Sequence, residues 1–184
     1  MRAVERVHAL HALTLSSGDL AIDATAGNGH DTLFLARNIG PTGHVHAFDP
    51  QFAALEATRR LLRSQNLQRR VTLHLTGHEH MEATLPAGLL GHASAATFNL
   101  GYLPGGDKSL ITRPASSLPA LRAALRFLRP GGLLTVLAYQ GHSGGKEECE
   151  AVRRELAARA NSCQTEETTA DRPDAPVLFA ARKT

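Results

Sequence analysis

Cysteine is scarce in this 184-residue chain, long apolar runs are missing, and aromatic residues make up only 4%. Cys149 and Cys163 form no C-x-x-C pair and are too few for a disulfide framework, which fits a reducing compartment. No apolar run approaches the roughly 20 residues of a membrane-spanning helix. The opening stretch MRAVERVHALHALTLSSGDL places charges and histidines where a secretory signal needs unbroken apolar sequence. Neither export nor a membrane partner is therefore expected, and a cytoplasmic protein is. There is no internal repeat and no interdomain linker, so residues 1–184 read as one domain, long enough to bury a core without metal or disulfide staples. Net charge is only +3, with a pI near 9.2. Such a balance permits polyanion binding without proving it, and the arginine bias would also follow from a GC-rich coding sequence.

What the chain does have is short apolar runs alternating with segments of helical period, the pattern of an α/β protein with a mainly parallel sheet. Helices are expected over Val4–Leu15, Asp31–Asn38, Phe52–Gln65, Pro114–Phe127 and Glu147–Ala160, with a short one over Glu79–Leu85. Strands are expected at Leu20–Thr25, His44–Phe48, Val71–Leu75, Ala93–Leu100 and Leu133–Tyr139, the last preceded by an Arg129–Gly132 turn. Ser162–Thr168 and Val177–Arg182 make a final hairpin.

Ligands of open parallel sheets bind beyond the carboxyl ends of the strands, where the connections change face. There the sequence reads Asp23-Ala24-Thr25-Ala26-Gly27-Asn28-Gly29-His30-Asp31-Thr32, a turn whose glycines let a ligand approach the backbone before a helix begins. Asp49 ends the second strand about 20 residues beyond the glycines, where an acid can bind both ribose hydroxyls. Dinucleotide enzymes share that acid but open the helix with a third glycine under the pyrophosphate, and Asp31-Thr32 is bulkier. A plain strand-to-helix turn would explain the glycines and a helix N-cap would explain Asp49, but neither explains the pair. The D-x-x-x-G-x-G form resembles the first motif of S-adenosylmethionine-dependent methyltransferases.

Asn99-Leu100-Gly101-Tyr102 closes the fourth strand and shares its outer residues with the N-P-P-Y motif of methyltransferases acting on nitrogen. An amine nucleophile needs a carbonyl acceptor for its hydrogens and an aromatic surface for its base, which Asn99 and Tyr102 supply. It also needs a proton acceptor, for which Asp107, Tyr139 and His142 are all candidates. Lys108, Arg113 and Lys146 border the flanking loops as candidate phosphate contacts, or as ordinary solvated cations. Ten histidines invite a metal reading, but His8 and His11 share a helix face without an acidic third ligand, and His74, His78 and His80 straddle a strand end and a loop. No metal site is expected.

Taken together, D-A-T-A-G-N-G-H-D-T, F-D-P-Q, F-N-L-G-Y-L-P-G-G-D-K and the Tyr139–Lys146 stretch resemble the MnmM/YtqB family of small bacterial proteins labelled rRNA methylases, over about Gly18 to Lys183. The resemblance implies a Rossmann-like class I methyltransferase fold: a seven-stranded, mostly parallel sheet with an antiparallel C-terminal hairpin strand and helices on both faces. It implies a homodimer that uses S-adenosyl-L-methionine to methylate the aminomethyl group of 5-aminomethyl-2-thiouridine at the wobble position of the tRNA anticodon arm. Matching positions assign cofactor contacts to Asp23, Thr25, Gly27, Asn28, Gly29, Asp31, Thr32, Asp49, Gln51 and Asn99. Asn99, Tyr102, Asp107, Tyr139 and His142 would surround the amine. Gln140, in place of a histidine, and Asp174-Ala175-Pro176-Val177, in place of a diproline and an aromatic, depart from the family pattern where substrate could border. Rival readings are methylation of rRNA or of a small-molecule or protein amine, and a dinucleotide-binding module that binds NAD and transfers no methyl.

Overall fold

The apolar runs become seven strands in the computed structural model, which describes residues 2–103, 105, 110–170 and 175–184. These are β1 (Leu20–Asp23), β2 (His44–Phe48), β3 (Val71–His74), β4 (Ala93–Leu100), β5 (Leu128–Ala138), β6 (Cys163–Thr169) and β7 (Val177–Lys183). They form one sheet in the order β3-β2-β1-β4-β5-β7-β6. Neighbours from β3 through β5 pair in parallel, and β7 runs antiparallel between β5 and β6.

A parallel sheet must be covered on both faces, and the period-2 alternation of its strands assigns each residue to a layer. Ala21, Val45 and Ala95 pack with Leu35 and Ala36 of α2 (His30–Asn38) and Leu62 of α3 (Phe52–Ser64). Ile22, Phe48, Ala96 and Phe98 pack with Leu121, Ala124 and Phe127 of α5 (Pro114–Phe127) and Val152 of α6 (Gly145–Ala157). Met81 of α4 (Met81–Thr84) joins that second layer, and α1 (Ala3–Ala12) lies on the α2 side with Val7 against Leu137 and Leu178. Phe48, Phe98, Phe127 and Phe179 are all fully buried, so half of the eight aromatics sit in the core, where truncation to alanine costs about 3–5 kcal/mol.

Two local expectations are corrected. α1 stops at Ala12 rather than Leu15, because the Thr14 N–H donates to the His11 carbonyl three residues back, while the Thr14 hydroxyl takes the Leu10 carbonyl that this N–H would hold in a continuing helix. The Arg129–Gly132 turn is absorbed into β5 as a wide bulge: Ala93 faces Leu128 while Ala95 already faces Leu133. The chain order reverses between β1 and β4, so the carboxyl ends of these two strands flank the crevice where such sheets bind ligands.

Candidate active site

After Asp23 the chain crosses from β1 to α2 in a turn tied to both neighbouring strands. Ala24 N–H donates to the Thr97 carbonyl at 2.9 Å and Ala26 N–H to the Phe48 carbonyl at 2.8 Å. Asp23 is fully buried, with one carboxylate oxygen accepting Thr25 N–H at 3.1 Å and the other the Thr32 hydroxyl at 2.5 Å. Asp23 and the equally buried Thr32 thus shape the turn from beneath. Gly27 and Gly29 have φ of +51° and +85°. A Cβ on Gly29 would lie 2.8 Å from Thr58 Oγ1 and 2.9 Å from Thr58 Cα, so α3 approaches the turn too closely for a side chain. The Thr58 hydroxyl donates to the Gly27 carbonyl at 2.9 Å. Asp49 closes the turn from the β2 side, accepting Gly27 N–H at 2.9 Å and Gln51 N–H at 2.8 Å. Each of its oxygens retains a lone pair for a further donor. Asn28 is exposed at the tip of the turn.

Three carboxylates therefore lie around one turn. Burial, and then the charge of Asp31, pushes Asp23 up from 3.8 to about 7. Burial also raises Asp49, against the Gln51 and Gly27 N–H groups that favour its charge. Burial alone would raise Asp31 too, but hydrogen bonds from His8 and Asn99 and the nearby His8 outweigh it and hold Asp31 below the usual range. An acidic turn of this kind repels a pyrophosphate and suits a ligand carrying positive charge.

The end of β4 is joined to this turn directly. Asn99 N–H donates to Thr25 Oγ1 at 2.8 Å, and the Asn99 side-chain NH₂ donates to Asp31 at 2.5 Å. Tyr139, at the end of β5, donates its N–H to the Leu100 carbonyl at 3.1 Å and is 39% exposed. Burial, then the Asp31 charge, raises its phenol. Tyr102 meets the His142 ring edge-on at 6.1 Å. A Cβ on Gly101 would lie 3.5 Å from His142 Nε2 and 3.6 Å from Tyr139 Cβ, so these residues converge. The structure thus brings Asn99, Tyr102, Tyr139 and His142 to one edge with the Asp23–Thr32 turn, while Asp107 and Lys108 lie outside the described residues. Arg113 is the exposed N-cap residue of α5, and Lys146 lines an open cleft of about 530 Å³ with Gln140, His142 and Glu147. Gln140 donates to the Ala175 carbonyl at 3.2 Å, so the two departures from the family pattern touch each other, although Asp174 lies outside the described residues.

Three contributors escape a reading of local sequence. His8, whose acidic partner the sequence does not reveal, donates to Asp31 at 2.6 Å from α1. His78 is buried with Nδ1 3.2 Å from the Ala24 carbonyl, under the turn. Glu148 is buried and accepts the Thr112 hydroxyl at 2.8 Å and the Ser117 hydroxyl at 2.5 Å. Because Thr112 N–H also donates to the Gly101 carbonyl and Tyr102 bridges to Ile111, Glu148 fastens the base of the loop between β4 and α5. Its one signal in the sequence is a charge placed four residues before Val152 on the apolar face of α6. Among the described residues no group of three or more His, Cys, Asp or Glu is placed to hold a metal ion, and no helix is long and apolar enough to cross a membrane.

The fold is that of the Rossmann-like methyltransferases. A Clostridium thermocellum structure superposes with a TM-score of 0.94 at 35% identity, covering 100% of this chain and 98% of that one. A Streptococcus mutans protein, SMU.1697c, in complex with SAH, superposes with a TM-score of 0.88 at 33% identity, covering 100% and 99%. The family model described as "Putative rRNA methylase" matches residues 45–182, and the chain belongs to that family. An Arabidopsis thaliana relative, named tRNA (mnm(5)s(2)U34)-methyltransferase, chloroplastic, is 40% identical over 159 residues. That match takes in 82% of this chain and 57% of the relative, so the chain spans little more than half of the relative's length.

Proposed function

We propose that this chain uses S-adenosyl-L-methionine to N-methylate the aminomethyl group of 5-aminomethyl-2-thiouridine at the wobble position of tRNA. The observation that carries the reading is the Asn99–Asp31 contact, which couples an amide at the N-x-x-Y position to the cofactor turn. The cofactor fits the residues present: Asp49 has lone pairs for a ribose diol, and the acidic turn suits a sulfonium where it would oppose a pyrophosphate. When bound, the cofactor supplies an electrophilic methyl group: the amine nitrogen forms the new C–N bond as the C–S bond breaks, leaving a thioether.

The chain's own residues supply position and a proton path. Asn99 accepts an amine N–H through its carbonyl oxygen, and Tyr102 and Tyr139 offer aromatic surface to the base. The amine must be neutral to attack and sheds a proton. Of the candidate acceptors, His142 has Nδ1 3.1 Å from the Ser143 carbonyl, which only accepts, so Nδ1 holds the hydrogen; Nε2 keeps its lone pair but is buried without a partner, so it takes a proton only once that nitrogen is uncovered. The raised phenol of Tyr139 stays protonated and serves as a donor. Arg113 and Lys146 offer charge to tRNA phosphates.

The test is to incubate purified protein with S-adenosyl-L-methionine and tRNA from a strain lacking this gene, then weigh the digested nucleosides. 5-Aminomethyl-2-thiouridine should become one CH₂ heavier. Methylation of a different nucleoside replaces the substrate, and the absence of methylation removes tRNA from the reading.

A further inference from the structure

Asp31 joins two elements that methyl transfer does not by itself require to touch, α1 and the end of β4. Its carboxylate is mostly buried, with one oxygen 2.6 Å from His8 Nε2 and the other 2.5 Å from Asn99 Nδ2. An ionised carboxylate only accepts hydrogen bonds, so both partners present N–H groups to it. This orients the Asn99 amide: the NH₂ is committed to Asp31, and the carbonyl oxygen is the end left for a substrate. Were the amide to flip, it would turn N–H donors toward the N–H donors of an amine, and the interaction would become repulsive.

His8 is itself held firmly. Its imidazole stacks on Phe34 with ring centroids 4.0 Å apart and planes 5° from parallel. Phe34 lies one turn beyond Asp31 on α2, so a single helix presents both the ring that His8 rests on and the acid it donates to. Resting on the amine methylation proposed above, we propose that His8 is a positioning residue, holding Asp31 so that Asp31 holds the Asn99 carbonyl toward the substrate amine. Without that donor the carboxylate has one fixed partner instead of two, and its rotation frees the Asn99 amide. A two-bond bridge of this kind also selects the nucleophile, because an oriented carbonyl favours a nitrogen that still carries hydrogen.

The test separates the donor from the ring. His8→Phe keeps the stack on Phe34 and removes the N–H; His8→Gln gives up the ring and offers an amide N–H of similar reach. In nitrogen-15-labelled protein without substrate, His8→Phe should speed exchange of the Asn99 side-chain NH₂ by about tenfold or more, while kcat for methyl transfer falls about 10- to 100-fold at near-constant cofactor affinity. His8→Gln should recover most of both. The proposal is overturned if His8→Phe matches the parent protein in both readouts, or if His8→Gln is as impaired as His8→Phe, which would leave only ring packing. The exchange readout needs no substrate, so a parent protein that fails to methylate tRNA counts against the reaction and not against His8.

Discussion

Replacing Asp23 by Asn should make the protein more stable at neutral and alkaline pH and leave it nearly unchanged in acid. Asp23 is buried and pushed up from 3.8 to about 7, first by burial and then by the charge of Asp31. In acid its carboxyl is protonated in both the folded and unfolded chain and contributes no difference. As pH rises past 3.8 the unfolded chain releases the proton while the folded chain retains it, so folding loses stability until the folded group also ionises near 7. The shift is about three units, each worth about 1.4 kcal/mol, so the penalty reaches about 4 kcal/mol. Asn carries no such penalty. It keeps an oxygen for Thr25 N–H and offers N–H to the Thr32 hydroxyl, an exchange that returns about 1 to 2 kcal/mol. A net gain of about 2 kcal/mol or more is expected in urea unfolding at about pH 8, shrinking toward zero at about pH 4. A difference that stays flat across that range, or an Asn variant that is the less stable at high pH, refutes the assignment of the raised group to Asp23.

Asn99→Ala should lower methyl transfer by about 10²-fold or more with cofactor affinity nearly intact; unchanged turnover removes Asn99 from the mechanism. Asp49→Ala should act the other way, weakening the cofactor about 10- to 150-fold through lost charge-assisted hydrogen bonds, and calorimetry with equal affinities would dismiss the ribose role. Gly29→Ala should destabilise by about 2–5 kcal/mol, since it joins a positive φ to a collision with α3. Adding Thr58→Ala should not restore stability, because Thr58 Cα itself stands 2.9 Å from the new methyl group; a full recovery in thermal unfolding would place the conflict at the Thr58 side chain alone.

Those elements whose ends are punctuated locally were legible from sequence. β2, β4 and α5 have the expected bounds because each begins beside Gly or Pro or ends where apolar character stops: Gly43 precedes His44, Gly101 follows Leu100, and Pro114 opens α5. The tight turn after β1 was legible for a similar reason, since the positive φ of Gly27 and Gly29 favours glycine. The bulge in β5 was not, because an apolar pattern says nothing of register against β4. Nor were the His8–Asp31 and Thr112–Glu148 bonds, which join residues 23 and 36 positions apart and depend on how helices pack over the sheet. A histidine on an amphipathic helix looks alike in sequence whether it meets water or a buried acid.

The strand order has a consequence for how this chain is made. β6 leaves the ribosome before β7, yet β7 is the strand that separates β6 from β5. Until β7 has been synthesised, the edge of β5 has no partner and β6 has no sheet to join, so two exposed strand edges coexist during synthesis. Insertion of β7 closes both at once, pairing β5 from Leu133 to Ala138 and β6 along its whole length. Lys183 then seats its ammonium on the Leu125 and Leu128 carbonyls, where α5 gives way to β5. Assembly of this half of the sheet is therefore a single late event, and the nascent protein is most open to aggregation just before it.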